Sequence, residues 1–405
     1  MKAQVLFVDD EPNILRGLRR MLRGLAGEWD MQFAESGAEA LERLERAPVD
    51  VIVTDMRMPR MGGAELLSEV RERFPHVIRM VLSGQCDEAA AYSVAGSSHQ
   101  FMSKPCNTET LAGAVRRALE LRDRLGDDSL RAAIGSLGAL PSPSRVCQDL
   151  IRELGAPHPS FKAVVEIVEG DVALSAKVLQ LANSGYFGLA QEVSSPQQAM
   201  NLLGLETISA LVLSHGIVSQ FEDNGLPAAV CQRVTEHSLA CARMARGIAE
   251  FEQLDRREAS HAFVAGMLHD VGMLALAAGK GEAYLEVVRK ADHDEARLLQ
   301  LEQARFGSCH ATVGAYLLSL WGFPGTVIDA VAFHHDPSAA QGTQVDVLTA
   351  VHVAEAMCHE RQASGTGGST QACLDTAYLT RVDALKKLDL WRAEFDTPDL
   401  AAVRT

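Results

Sequence analysis

Short apolar segments that end in acidic, hydroxyl or lysine side chains recur in the first 125 residues, and they constrain what this chain can fold into. Residues 51–54 are mostly β-branched and apolar, which favours a β-strand, and Asp55 follows them directly. The other apolar runs of this region end at Asp9 and Asp10, at Ser83, and at Lys104. The carboxyl ends of parallel strands are where α/β sheets bind ligands. These side chains therefore predict a site for a divalent cation and a phosphoryl group, the alternative being three solvated loop acids.

Strand and helix patterns alternate throughout this region. The predicted strands are 4–8, 29–34, 50–54, 77–82 and 99–102, and the predicted helices are 12–24, 37–46, 63–73, 87–95 and 108–124. Ser36 and Glu39 have the spacing of a capping box at the second helix, and Asn107 or Thr108 caps the last helix. Five strands alternating with five helices predict a doubly wound, five-stranded parallel α/β sheet.

Four motifs of this segment resemble those of the response-regulator receiver domain. They are Phe7–Pro12, Thr54–Gly63, Val81–Gly84 and Phe101–Pro105, and they occur in the order that the family has. The resemblance implies that Asp55 is the phosphoacceptor and that Asp9, Asp10 and Asp55 hold Mg²⁺ together with the backbone carbonyl of Arg57. It also implies that Ser83 and Lys104 contact the phosphoryl oxygens and that Phe101 occupies the position of an aromatic switch.

These residue types suit phosphoryl transfer. The reaction needs positioning and neutralisation of charge on the phosphoryl oxygens more than it needs covalent chemistry from the protein. Mg²⁺ binds carboxylate oxygens and water, Lys104 supplies a positive charge, and Ser83 supplies a hydroxyl donor.

Composition excludes several classes of protein. The formal net charge of −15 argues against a general nucleic-acid binder and against binding to an anionic membrane. The eight cysteines form no CxxC pair, so neither a zinc knuckle nor a disulfide framework is indicated. The most apolar stretch, 262–279, has His269 and Asp270 near its middle and is therefore interpreted as a buried core helix rather than a membrane span. With no recognisable signal segment at the N-terminus, we expect a cytoplasmic protein.

Beyond about residue 130 the strand patterns disappear, and apolar residues recur at the three- and four-residue spacing of helices. Motifs in this region resemble the HDOD domain, an all-helical relative of the HD phosphohydrolases that is usually a signalling output without catalysis. They are Leu140–Pro143, Glu169–Leu174, Leu181–Gly188, Ala199–Gly204 and Trp321–Pro324. We therefore predict a receiver domain at 1–125 and an all-helical HDOD domain at 126–405. The HDOD core is expected at about 130–360, with a helical extension at 374–395 after a polar loop at 363–371.

The order of histidines and acids in this region resembles the metal-ligand set of active HD enzymes. The candidate ligands are His237, His269, Asp270, His310, His334, His335 and Glu355. Imidazole and carboxylate ligands suit Fe, Mn or Zn, although neighbouring imidazoles alone could also satisfy a buried Asp270.

Two departures from that resemblance weaken the interpretation as an enzyme. Met273 stands where cyclic-dinucleotide phosphodiesterases of this type have a lysine, and Asp336–Ala339 replaces their Gly-Tyr-Pro loop. We therefore expect a weakly bound or single metal ion and no hydrolysis of cyclic di-GMP.

Together these features predict a phosphorylation-controlled response regulator. A sensor histidine kinase is expected to phosphorylate Asp55, and the HDOD domain is expected to relay the signal by contacts with another protein. We expect no direct binding of nucleic acid and no association with a membrane. The alternative is a phosphorylation-regulated, metal-dependent HD-type phosphohydrolase. The sequence does not identify the stimulus, the kinase or the partner. It also leaves the oligomeric state open, and a homodimer is one of the possible states.

Overall fold

The computed structural model divides the chain into two compact units, the first built mainly on residues 1–145 and the second mainly on residues 146–405. The structure describes residues 2–83, 108–125, 194–223, 226–292, 294–366 and 374–395, and shorter stretches at 100–104, 106, 149–151, 153, 160–170, 175 and 178–179. The predicted boundary at 125/126 stays a prediction, because the residues that follow it lie outside this description.

The first unit contains a five-stranded parallel sheet. The strands are β1 (Ala3–Val8), β2 (Trp29–Ala34), β3 (Val51–Asp55), β4 (Ile78–Ser83) and β5 (Gln100–Ser103), in the spatial order β2-β1-β3-β4-β5. The described helices are α1 (Pro12–Met21), α2 (Gly37–Arg46), α3 (Gly63–Arg73) and α4 (Thr108–Arg124). The strand order reverses between β1 and β3, which is the position where open α/β sheets place a ligand crevice.

The doubly wound α/β fold is confirmed, and each strand lies within one residue of its predicted bounds. The first helix is shorter than predicted, because it ends at Met21 and a 3₁₀ turn follows at Arg23–Leu25. Ser36 caps α2 by accepting a hydrogen bond from the backbone N–H of Glu39. The carboxylate of Glu39, however, accepts from the N–H of Glu35 rather than from that of Ser36, so the reciprocal half of the predicted capping box is wrong. The predicted helix 87–95 and the cap at Asn107 lie outside the described residues.

The described part of the second unit is helical. Its helices are α5 (Phe161–Glu169), α6 (Pro196–Leu203), α7 (Leu205–Asp223), α8 (Ala228–Phe251), α9 (Arg256–Leu268), α10 (Val271–Lys280), α11 (Glu282–Ala291), α12 (Glu295–Phe306), α13 (His310–Leu320), α14 (Gly325–Phe333), α15 (Val347–Thr366), α16 (Thr376–Arg381) and α17 (Leu388–Phe395). Helix α8 packs against α9 and α15, and α14 packs against the same two helices. These four helices form a core; His237 lies on α8, His269 directly follows α9, His334 and His335 directly follow α14, and His310 begins α13.

The long apolar stretch is a buried segment of this core. Residues Arg256–Lys280 are long and apolar enough to cross a membrane by length and composition, but 83% of their apolar window is buried within the protein. The segment is also two helices, because α9 ends at Leu268 and α10 begins at Val271. Its apolar composition is therefore explained by packing in the core.

Two details of the C-terminal part differ from the sequence-based expectation. Helix α15 continues to Thr366, into the segment predicted as a polar loop from residue 363. The predicted helical extension is interrupted, because α16 and α17 are separated by a 3₁₀ turn at Leu385–Lys387. Asp383 between them has a positive φ of 54°, which a continuous right-handed helix cannot contain.

Candidate functional site

The first candidate site lies at the carboxyl edge of the parallel sheet. Lys104 Nζ is 2.8 Å from Asp9 Oδ2 and also contacts Asp55 Oδ1, so one ammonium group joins the acids that follow β1 and β3. Burial alone would lower the pKa of Lys104, but the hydrogen bonds and negative charge of Asp55 and Asp9 outweigh it and raise that pKa. Lys104 is therefore firmly cationic beside the two carboxylates.

The backbone holds both carboxylates in place. Asp55 Oδ2 accepts a hydrogen bond of 2.7 Å from the N–H of Arg57, and Asp9 Oδ1 accepts one of 3.0 Å from the N–H of Glu11. A Cβ on Gly63, the first residue of α3, would lie 2.2 Å from the carbonyl oxygen of Asp55. Only glycine therefore permits α3 to begin this close to the end of β3.

The structure brings part of the predicted receiver site together. Asp9, Asp55 and Lys104 are in contact, and Asp10 follows Asp9 at the same edge of the sheet. Ser83 and Phe101 occupy β4 and β5, with Ser83 opposite Ser103 and Phe101 opposite Val81. The side chains of Ser83 and Phe101 lie outside the described part of the chain, so their predicted roles stay predictions.

The second candidate site is a buried cluster in the helical unit. It contains all seven predicted ligands, which come from the middle of α8, from the α9–α10 junction, from the first residue of α13, from the end of α14 and from α15. These residues are His237, His269, Asp270, His310, His334, His335 and Glu355. His269 and Asp270 lie at the break between α9, which ends at Leu268, and α10, which begins at Val271.

One part of the cluster surrounds Glu355, which is 4% exposed. Its Oε2 is 3.0 Å from His237 Nε2, 3.0 Å from His269 Nε2 and 2.9 Å from the thiol of Cys241. Oε1 lies 2.7 Å from Nε2 of His359, one turn further along α15. Although burial alone would raise the pKa of Glu355, the charges of His237 and His269 hold it well below its usual range.

The other part of the cluster is formed by His310, His334 and His335, which offer nitrogen atoms within 4.8 Å of one another. His310 Nε2 and His335 Nε2 are 2.8 Å apart. Each of these two rings places its Nδ1 on a carboxylate, His310 on Glu302 and His335 on Glu295, both at 2.8 Å. The carboxylates accept from Nδ1, and one Nε2 donates to the other across the 2.8 Å contact; once that proton is lost, both Nε2 atoms would present lone pairs to the same space.

Backbone carbonyls fix two further rings in the same way. His269 Nδ1 is 2.8 Å from the carbonyl oxygen of Gly266, and His334 Nδ1 is 2.7 Å from that of Val331. Within the described part of the chain, the Nε2 atoms of His269 and His334 are buried and have no hydrogen-bond partner. Glu355 Oε2 is close to His269 Nε2, but the contact does not have hydrogen-bond geometry. A metal-binding histidine has this arrangement, with one nitrogen held by an acceptor and the other free for the ion.

Asp270 lies between the two parts of the cluster. Its Oδ2 is 3.4 Å from His269 Nε2, and its Oδ1 is 3.4 Å from His310 Nε2. Burial lowers the pKa of both imidazoles, but neighbouring carboxylates outweigh it and raise each to about 10. The cluster therefore favours positive charge, carried by protons or by bound cations.

Sequence reasoning missed four members of this cluster: Cys241, Glu295, Glu302 and His359. Cys241 follows His237 by four residues on α8, and His359 follows Glu355 by four residues on α15. Side chains four apart on a helix share a face, so this spacing could have identified both. Glu302 and Glu295 have no such signal, because their histidine partners lie on other helices.

One further histidine is a structural residue. His352 is 2% exposed; its Nδ1 donates to the carbonyl oxygen of His334, and its Nε2 accepts from the N–H of Asp375. Both of its nitrogens are thereby used by the backbone, which fixes the end of α14 where His334 and His335 lie.

Two families of known domains match this chain. The response regulator receiver domain matches residues 5–116, and the HDOD domain matches residues 140–337. The chain carries a receiver domain followed by an HDOD domain. This confirms the resemblances drawn from the sequence motifs.

Individual relatives agree with this assignment. The chain is 40% identical over 129 residues to the hydrogenase transcriptional regulatory protein HoxA of Cupriavidus necator, covering 31% of this chain and 26% of HoxA. It is 36% identical over 124 residues to the sensor kinase CckA of Brucella abortus, covering 30% of this chain and 13% of CckA. The chain thus covers about a quarter of the length of HoxA and a smaller share of the length of CckA. The receiver domain and these relatives give the chain a role in two-component signalling.

A solved HDOD domain protein from Geobacter sulfurreducens, whose function is unknown, has the same fold. Its structure superposes with a TM-score of 0.53 at 24% identity, covering 72% of this chain and 98% of that protein. At this level of identity the likeness establishes the fold of the helical unit and not its activity.

Proposed function

We propose that the chain is a phosphorylation-controlled response regulator in which Asp55 accepts a phosphoryl group from a sensor histidine kinase. The observation that carries this proposal is the contact of one lysine, Lys104, with both Asp9 and Asp55 at the carboxyl edge of the sheet. A fixed cation beside an oriented carboxylate is what an acyl-phosphate site requires, because charge develops on the phosphoryl oxygens during transfer.

The donors at this edge fit a magnesium ion. Among the described residues, Asp9 and Asp55 contact one ammonium group, and Asp10 follows Asp9 in the chain; carboxylate oxygens are ligands that Mg²⁺ prefers. Asp9, Asp10, Asp55 and the carbonyl of Arg57 would hold the ion, which would neutralise the incoming phosphoryl group. Lys104 would supply a further positive charge for the phosphoryl oxygens.

Labelling with acetyl phosphate and Mg²⁺ tests the phosphoacceptor. We expect stable incorporation in the wild type and none in Asp55→Asn, which keeps the shape of the side chain but removes the nucleophile. Asp30→Asn is the matched control, because Asp30 is an exposed acid on β2 of the same sheet. Labelling of Asp55→Asn at the wild-type level would refute the assignment.

We further propose that the HDOD domain relays the phosphorylation state through contacts with a protein partner in the cytoplasm, without direct binding of nucleic acid. The receiver-then-HDOD order and the acidic balance of the chain support this proposal. Hydrogen exchange with and without beryllofluoride, a phosphate mimic, should change at residues beyond 125. The absence of any change there would contradict the relay.

A second candidate function is a metal-dependent phosphohydrolase of the HD type. The buried Nε2 atoms of His269 and His334, each without a hydrogen-bond partner among the described residues, favour a metal centre. His237, His269, Asp270 and Glu355 would hold one ion, and Asp270, His310, His334 and His335 a second. Such ions activate water and stabilise charge on a phosphodiester. Asp270 would be available to either set of ligands because its two oxygens face different parts of the cluster.

Two features limit the substrates of such a centre. Met273 in the first turn of α10 supplies no charge for a substrate phosphate, and residues Pro337–Ala339 form a 3₁₀ turn in place of the Gly-Tyr-Pro loop. We therefore expect no turnover of cyclic di-GMP.

Elemental analysis of protein purified without added metal, compared with His269→Ala, tests the centre. His261→Gln is the matched control, because His261 is a buried histidine on α9 whose Nδ1 contacts Thr326 outside the cluster. Less than about a tenth of an equivalent of metal in the wild type would reject a native site. Rapid turnover of cyclic di-GMP that Asp270→Ala abolishes would instead establish the enzyme.

A further inference from the structure

Cys241 lies on the same face of α8 as His237, one helical turn away, and points into the part of the cluster that surrounds Glu355. Its side chain is completely buried, and Sγ is 3.5 Å from His237 Nε2 and 2.9 Å from Glu355 Oε2. The sulfur therefore stands among the same atoms that would hold the first metal ion.

We propose that Cys241 is a thiolate ligand and that this chain binds a zinc-like ion through Cys241, His237, His269 and Glu355. This inference rests on the metal centre proposed above and specifies its chemistry. One ligand atom from each of the four residues lies within 4.8 Å of the others. One cysteine, two histidines and one carboxylate form a set of four ligands that zinc accepts.

The separations between these atoms fit a single ion. Bond lengths of 2.0–2.3 Å around a tetrahedral zinc ion place neighbouring ligand atoms about 3.3–3.8 Å apart. The separations are 3.5 Å from Cys241 to His237, 3.0 Å from His237 to Glu355 and 3.0 Å from His269 to Glu355. The first separation already lies in this range, and small side-chain movements would bring the other two, and the 2.9 Å between Cys241 and Glu355, into it.

The unpartnered Nε2 of His269 provides a second, independent observation. This ring is completely buried, its Nδ1 is held by the carbonyl oxygen of Gly266, and Nε2 faces the same space as Cys241. A buried ring nitrogen without a hydrogen-bond partner is costly, and an ion bound to this nitrogen would remove that cost.

The rival interpretation is that the Cys241 thiol only donates a hydrogen bond to Glu355. That carboxylate already contacts His237 and His359, so its charge does not depend on the thiol. A thiol is also a weak donor and would leave His269 Nε2 without a partner. Soft thiolate ligands instead select zinc over magnesium or manganese, which changes the metal expected for the centre.

Cobalt substitution tests the proposal, because a cobalt–thiolate bond gives a charge-transfer absorption in the near ultraviolet that nitrogen and oxygen ligands do not give. The full chain is stripped with a chelator, kept reduced and titrated with Co²⁺. We expect this absorption to saturate at one ion per chain in the wild type. In Cys241→Ser the absorption should vanish and the affinity for Co²⁺ should fall at least 10- to 100-fold, the loss that even outer residues of a metal site cause.

Two cysteine variants are the matched controls. Cys231→Ser removes an equally buried thiol ten residues earlier on α8, and Cys358→Ser removes the thiol on α15 that is hydrogen bonded to Cys241. Both should keep the absorption. Loss of the absorption in Cys358→Ser but not in Cys241→Ser would overturn the assignment to Cys241.

The remaining outcomes separate the thiolate from the metal centre. Cobalt that binds to the wild type without the absorption would overturn the thiolate but leave the centre intact, whereas no binding at all would overturn both. A cadmium-113 NMR shift typical of sulfur ligation in the wild type supports the proposal without any variant, and a shift typical of nitrogen and oxygen ligands alone refutes it. Native-state hydrogen exchange of the most protected amides of α8 and α9, measured in Cys241→Ser, checks that the helical unit is otherwise intact.

Discussion

Replacement of Gly272 by alanine should disrupt the buried cluster from a position that holds none of its ligands. Gly272 lies in the first turn of α10, two residues after Asp270, where this helix crosses the start of α13. A Cβ at this position would be 1.9 Å from the carbonyl oxygen of His310 and 2.7 Å from the N–H nitrogen of Gly314. Ordinary contact begins at about 3.4 Å, so the two helices would have to separate by about 1.5 Å.

The expected cost follows from this displacement. Inserting a methyl group into a packed core costs about 1–3 kcal/mol, and weakening the buried contacts of His310 with Glu302 adds a further ~1–3 kcal/mol. Alanine recovers up to about 1 kcal/mol through its higher helix propensity. We therefore expect Gly272→Ala to lower the free energy of unfolding of the helical unit by about 2–4 kcal/mol.

Gly314→Ala is the matched control at the same helix crossing. Its Cβ would be 3.1 Å from the Gly272 nitrogen and 3.2 Å from Val271 Cγ1, which requires a shift of only a few tenths of an ångström. The cost should be about 1 kcal/mol or less after the gain in helix propensity. Native-state hydrogen exchange of the most protected amides of α8 and α9 measures both variants within the helical unit alone. If Gly272→Ala proves as stable as the wild type, or no less stable than Gly314→Ala, the close approach of α10 to α13 is wrong.

Three further predictions concern other contacts. Gly63→Ala should reduce labelling of Asp55 at least tenfold, because its Cβ would meet the Asp55 carbonyl at 2.2 Å, while Gly62→Ala, at 3.4 Å from the nearest atom, should label normally. Tyr284→Phe should lower the free energy of unfolding by about 1 kcal/mol in the wild type, because the Tyr284 hydroxyl donates to Glu302. The same change should have no effect when Glu302 is already replaced by leucine. Additive losses of the two substitutions in unfolding experiments would contradict this. Burial, with the charge of Arg257, lowers the pKa of His261 to about 4, so its share of stability is present above pH 6.5 and is lost as the pH falls towards 4. Between pH 7 and 5, the free energy of unfolding of His261→Gln should therefore fall by about 1 kcal/mol less than that of the wild type. An equal fall in both proteins would contradict the lowered pKa of His261.

The receiver sheet was predictable because the local sequence of each strand has the apolar pattern that favours a strand. Residues 51–54 are apolar and β-branched, and β3 indeed spans Val51–Asp55. Sequence patterns also place Asp9 and Asp55 at the ends of strands, and the parallel pairing of β1 with β3 then makes them neighbours. What the sequence could not provide is the bond of Glu39 to Glu35, because the choice between two adjacent N–H groups depends on how the chain enters α2.

The helical cluster was only partly predictable. Histidines and acids such as His269 and Asp270 could be identified from the sequence, because their order along the chain resembles the metal-ligand set of HD enzymes. The carboxylates that orient these ligands could not. Glu302 lies eight residues before His310, a separation that brings no two side chains together on one helix, and it meets that ring only because the chain turns between α12 and α13.

Distances around Asp270 bear on whether imidazoles alone satisfy this buried carboxylate. A hydrogen bond from an imidazole N–H to a carboxylate oxygen is usually 2.7–3.2 Å long. The contacts of Asp270 with His269 and His310 are both 3.4 Å, whereas Glu302 and Glu295 approach their histidines to 2.8 Å in the same unit. The outer carboxylates therefore hold their rings by hydrogen bonds on Nδ1, while Asp270 faces the Nε2 atoms at the separation that ligands of a shared ion have. This contrast within one cluster favours a cation beside Asp270 over imidazoles that pair with it directly.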